Sequence, residues 1–92
     1  MKKKTYNIEG LELEVVIDDK KNREMDQERR LFSYLIKAIR EYSGMDRAGF
    51  CEWLGIPYRT LQEWELGGRM MPDYVLRLIA YKVRMEKLSG SI

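Results

Sequence analysis

Apolar and polar residues alternate along residues 3–18, KKTYNIEGLELEVVID. Tyr6 and Ile8 share one parity; Leu11, Leu13, Val15 and Ile17 share the other. A period of two marks a strand with one buried face. The parity switches at Glu9-Gly10, where a turn resets the face. The spacing therefore predicts a β-hairpin within residues 1–18, with strands over 3–8 and 11–17. A lone two-stranded hairpin is marginal in water, so its apolar face must rest on helices, on a second copy or on a partner chain.

The pattern then changes. Residues 18–30, DDKKNREMDQERR, are so densely charged that 19–30 reads as a linker or as the solvated start of a helix. From residue 31 to 88 the period becomes helical. Leu31, Leu35, Ala38, Ile39 and Tyr42 define a first helix that closes at Ser43-Gly44. Asp46 is an N-cap for a short second helix to Leu54, with Phe50, Cys51 and Leu54 facing inward, and Gly55 ends it. Pro57 opens a third helix, 57–66, at the first turn, where its missing N–H costs nothing. Gly67-Gly68 closes that helix. Pro72 opens a fourth, from Asp73 to Leu88, through Val75, Leu78, Ile79, Lys82 and Met85. Residues 89–92 are expected to be a frayed tail. The expected fold is mainly α: about four helices with an N-terminal hairpin.

Composition narrows the function classes. The 92 residues suit one domain, and 45% hydrophobic content supplies a modest core. No apolar run approaches the roughly 20 residues of a membrane span and no signal-peptide pattern follows the N-terminal lysines, so a cytoplasmic location is expected. One Cys and no His argue against a disulfide framework, a Cys/His metal site and a His general base. Cys51 reads as a small buried apolar residue. No catalytic residue, metal or cofactor is expected, and neither is an enzyme. Net charge is only +2, so any nucleic-acid partner must be met by positive charge gathered onto one face.

A short helix, a turn containing Gly and a second short helix form a helix-turn-helix unit. In its DNA-binding form the second helix enters the major groove and touches base edges with its N-terminal residues. Leu61 and Trp64 are three apart and face the core. Tyr58, Arg59, Gln62 and Glu63 project the other way, at the helix start. Arg can read guanine, Gln adenine and Glu cytosine; Tyr58 can stack on a sugar or touch a thymine methyl. Trp53 is expected to be half exposed. Tyr74, Tyr81 and Met85 form a stripe along the fourth helix that reads as core or as a dimer seam, and Met70-Met71 reads as a packing plug.

Residues 40–67, REYSGMDRAGFCEWLGIPYRTLQEWELG, resemble the lambda-repressor-like, or XRE-type, helix-turn-helix regulators of bacteria and phages. In that family an Arg near the end of the first helix precedes a Gly, and a small residue stands four before the turn Gly. After the turn come Thr or Ser, an aliphatic residue, an aromatic or aliphatic residue directly before Glu, then Gly and later Pro. Arg40, Gly44, Cys51, Gly55, Thr60, Leu61, Trp64, Glu65, Gly67 and Pro72 fill those slots, and the resemblance covers about residues 31–80.

The resemblance implies roles. Arg40 and Glu65 are a structural ion pair between the first and third helices. Tyr58, Arg59, Gln62 and Glu63 occupy base-reading positions. Arg47 stands where the family usually has a Gln opening the second helix beside a phosphate, and Arg69 lies in a loop near the DNA backbone. Lys37, Arg47, Thr60 and Arg69 form the backbone-facing set. Pro57 departs from the usual side-chain cap, and the family's common fifth helix has no counterpart, so a homodimer would use the long fourth helix or the hairpin. The implied function is a sequence-specific regulator, a repressor, acting on double-stranded operator DNA. The stretch also resembles small bacterial antitoxins, so the competing reading is a protein-interaction module that binds a toxin through residues 1–20 and touches DNA for autoregulation.

Overall fold

The computed structural model describes residues 2–17 and 27–92. Strands β1 (Lys2–Ile8) and β2 (Leu11–Ile17) pair antiparallel, with Ile8 opposite Leu11 and Tyr6 opposite Leu13. Glu9 and Gly10 both have positive φ, 49° and 88°, as a tight two-residue hairpin turn requires. Gly carries such a φ at no steric cost, and the Asn7 carboxamide oxygen accepts from the Gly10 N–H at 3.1 Å. Four helices follow: α1 (Gln27–Ser43), α2 (Arg47–Leu54), α3 (Tyr58–Leu66) and α4 (Asp73–Ser89).

The hairpin rests on the molecule's own helices. Leu11, Leu13 and Val15 are buried, and Tyr6 and Ile8 are partly buried beside them. They pack chiefly on α1, with a smaller contact to α4. From Leu11 to Val16 the alternation in β2 holds, since Glu12, Glu14 and Val16 face out; the Ile17 side chain lies outside what is described. Leu35, Ile36 and Ile39 of α1, Phe50 and Cys51 of α2, Leu61 and Trp64 of α3, and Leu76, Ile79, Ala80 and Val83 of α4 complete one core. Met71 is buried ahead of α4 as expected of a plug, while Met70 is only partly covered.

Some expectations are narrowed and others corrected. Helix α1 begins at Gln27, so residues 27–30 are the charged start of a helix, one of the two readings of 19–30. Residues 18–26 of that charged stretch lie outside the described residues. The buried stripe of α1 is also rotated toward Ile36, which leaves Tyr42 exposed. In α4 the rotation is larger. Of the positions that mark the helical period, Leu78, Lys82 and Met85 are exposed. The stripe Tyr74, Tyr81 and Met85, read as core or as a dimer seam, is exposed and so not core, and the helix buries Leu76, Ile79, Ala80 and Val83 instead. The reason is that α4 carries two apolar stripes, and periodicity alone does not say which one meets α1. Finally, the C-terminal residues are capped: Gly90 adopts φ 81°, its N–H donates to Lys87 O at 3.2 Å, and the Ser91 N–H donates to Glu86 O at 2.9 Å. This is a Schellman closure, and Ile92 packs against the core.

Because the hairpin closes the core, Leu13→Ala is expected to cost about 2–5 kcal/mol, as for other buried leucines. Urea unfolding followed by circular dichroism measures this. An unchanged midpoint would mean that the hairpin is a detachable arm.

Candidate nucleic-acid interface

Local sequence sets the two-helix unit. The Asp46 carboxylate accepts from the Gly49 N–H at 2.8 Å and caps α2. Gly55 ends α2 at φ 74°, and the N–H groups of Gly55 and Ile56 both donate to Cys51 O, at 2.8 and 3.1 Å. Any side chain at Gly55 would be strained in this left-handed conformation although space is open around it. Pro57 stands at the N-cap of α3 with φ −63° and gives no side-chain cap. Its carbonyl takes over part of that job by accepting from the Thr60 N–H at 3.1 Å.

One carboxylate ties the unit together. None of the Glu65 side chain is exposed. Arg40 of α1 reaches it with two nearly parallel bonds, Nε to Oε2 at 2.8 Å and Nη2 to Oε1 at 3.1 Å. Arg40 Nη1 also donates to the Met45 carbonyl at 3.2 Å, in the loop before α2. Arg47, the first residue of α2, adds Nε to Oε1 at 3.2 Å. Glu65 thus joins α1, α2 and α3. Planar guanidinium forks suit this bidentate arrangement, and a buried carboxylate without them would be costly.

Arg47, expected beside a phosphate, is the first residue of α2. Its Nε is engaged with Glu65 at 3.2 Å. The Glu65 carboxylate, with a smaller contribution from nearby Tyr58, holds its guanidinium more firmly charged than usual. Burial, reinforced by the nearby Glu65 charge, pushes the Cys51 thiol up and keeps it in the unreactive protonated form. Cys51 packs into the core four residues before the turn glycine, its thiol 3.9 Å from the Pro57 carbonyl.

The outward face of α3 holds the candidate reading residues. Tyr58 and Arg59 are exposed, with 88% of the Arg59 side chain open; Gln62 and Glu63 are half-buried. Glu63 lies 3.4 Å from Arg59 and 3.3 Å from Arg69, so one carboxylate bridges both guanidinium groups. The Arg59–Glu63 pair is visible in the sequence as an i,i+4 spacing. The Arg69 pair is not, because it depends on the Gly67-Gly68 closure that turns the chain back after α3. The Gly68 N–H donates to the Glu63 carbonyl at 2.9 Å within that closure. Thr60 is half-buried, between the outer face and the core. Lys37 is exposed on α1, outside the two-helix unit. The structure therefore brings Tyr58, Arg59, Gln62, Glu63 and Arg69 onto one side and assigns Arg47 to the Glu65 junction. The neighbouring Trp53 is half-buried, with its ring 5.9 Å from Phe50 and the Lys82 ammonium 4.7 Å above it.

Compared with family models, curated proteins and solved structures, the chain matches none of them.

Removing the junction carboxylate leaves Arg40 under-satisfied in a mostly buried site. Glu65→Ala is expected to lower stability by about 3 kcal/mol or more. Arg59→Ala, at an exposed pair, should change it by less than about 1 kcal/mol. Chemical denaturation of both variants tests the contrast, and equal effects would contradict it.

Proposed function

We propose that the chain is a sequence-specific DNA-binding transcriptional regulator, a repressor, of the lambda-repressor-like, XRE-type helix-turn-helix kind. In this reading it lays α3 in the major groove of double-stranded operator DNA and acts as a homodimer. The observation that carries the proposal is the division of labour along α3. Leu61, Trp64 and Glu65 fasten the helix from behind, while Tyr58, Arg59 and Gln62 stand at its N-terminal end on the open side. A recognition helix needs this combination, because base contacts discriminate only if the helix is held in one orientation.

The residues then take distinct parts. Arg59 donates two bonds to guanine O6 and N7, and Gln62 pairs with adenine N6 and N7. Tyr58 reaches a thymine methyl or a sugar. Glu63 keeps Arg59 and Arg69 in place before contact and can accept from cytosine N4 once Arg59 turns to a base. Arg69 and Lys37 supply phosphate contacts, which position the protein without reading sequence. Arg47 contributes indirectly, by bracing α2 against α3 through Glu65.

The competing reading, an antitoxin or interaction module partnered through residues 1–20, has less room. The apolar face of the hairpin is used inside the molecule. A partner would meet the outer face, polar but for Val16, and the free strand edges. Deleting the hairpin would also open the core, so partner binding is better tested with outward substitutions at Glu12 and Glu14.

Selection from a random duplex pool tests the proposal. The native chain should enrich one motif. Gln62→Ala and Arg59→Ala should each relax one base position and lose about 1–3 kcal/mol of discrimination there, while both variants stay folded. An unenriched pool, or the same motif from all three proteins, would count against base reading by α3.

A further inference from the structure

We infer that the outward face of α4 is a homodimer seam, closed by the same face of a second copy running antiparallel. Tyr74, Leu78, Tyr81, Met85 and Leu88 are all exposed, between 40% and 68%. Their spacings are four, three, four and three, the repeat that keeps a stripe facing a partner helix. The stripe lies opposite the one formed by Leu76, Ile79, Ala80 and Val83, which faces the core. A helix that is apolar on both sides belongs in a buried position, so α4 is half housed by its own fold.

The period says that the occupant is a helix; the residue order says which one. Place the two-fold axis between Leu78 and Tyr81, with the helices antiparallel. Tyr74 then stacks on the partner's Met85, and Leu78 on the partner's Tyr81. Each layer puts one ring against one flexible aliphatic or thioether chain, a favourable pairing. The arrangement is isologous, as a two-fold interface requires. It sets Asp73, in the first turn of one helix, toward Lys87 in the last turn of the other, and it opposes the helix dipoles. Parallel pairing would set Asp73 beside Asp73 and Lys87 beside Lys87.

The flanks of the seam are partly engaged. Arg77 is tied to Asp73 at 2.9 Å, and the Arg84 side chain lies against the hairpin turn at Gly10, with its Nη1 3.9 Å from the Met85 sulfur at one edge of the stripe. An open groove of about 420 Å³, lined by Glu9, Tyr74, Arg77, Leu78 and Tyr81, gives room for the partner's Met85 end of the seam. The four paired residues, Tyr74, Leu78, Tyr81 and Met85, expose on the order of 450 Å² per copy, so close pairing would bury about 900 Å² in all, the small size of a weak, reversible interface.

The inference supplies the two-fold partner that the DNA-binding reading uses, and it is tested without DNA. Sedimentation equilibrium of the full chain should fit a monomer–dimer equilibrium in the micromolar range. Leu78→Glu, at an already exposed position, should keep the native circular dichroism and weaken the dimer at least about tenfold. Oxidising a mixture of Tyr74→Cys and Met85→Cys chains should give the mixed disulfide, with neither variant cross-linking alone. A monomer at every concentration, an undiminished Leu78→Glu dimer, or a Tyr74→Cys chain that cross-links to itself would each overturn the inference. DNA binding by a monomer would leave the reading of α3 standing and remove only the seam.

Discussion

The Glu65 carboxylate, with none of its side chain exposed, sits where three helices meet. Arg40 holds it from α1 with two bonds, and Arg47 holds it from α2 with one. Its own helix is α3, the helix with the open face. A hydrophobic core is tolerant of small rotations, because apolar contacts are not directional. Bidentate guanidinium–carboxylate bonds are directional. The junction therefore fixes what the core alone would leave loose: the rotation of α3 about its own axis, and so the direction in which Tyr58, Arg59 and Gln62 point.

The hairpin serves the same end from the other side. Leu11, Leu13 and Val15 cover α1, and α1 in turn supports α3 and α4. A chain of this size has little apolar surface to spare. Two strands that could not persist alone thus become part of one core, and the support beneath α3 is stiffer for it. Of the large apolar side chains left exposed, Tyr74, Leu78, Tyr81, Met85 and Leu88 share the outer side of α4, while Val16, Tyr42, Tyr58 and Leu66 are scattered over other elements.

Much of this was legible in the residues. Asp46, Gly55, Pro57 and the Gly67-Gly68 pair are local signals, and each marks the helix end it predicts. The parity switch at Glu9-Gly10 located the hairpin turn because a two-residue turn leaves nowhere else for the face to reset. Contacts between distant elements were less legible. Arg40 and Glu65 were paired through a family resemblance, and the structure brings them together. Nothing in the spacing of Arg47 said that it would share the same carboxylate, since that depends on how α2 is inclined to α3. The inner face of α4 was not singled out because Leu78 and Met85 are as apolar as Leu76 and Val83. Which stripe is buried is decided by the surface of α1 and the hairpin, which a one-dimensional pattern does not contain.

Fluorescence anisotropy with labelled duplex from upstream of the protein's own gene, against a scrambled duplex, at several salt concentrations, tests the central claim most directly. The account predicts a complex about a thousandfold or more tighter on the upstream duplex, weakening steeply and log-linearly with salt as phosphate contacts are screened. Equal, weak binding to both duplexes, with no specific component at any salt concentration, would contradict it.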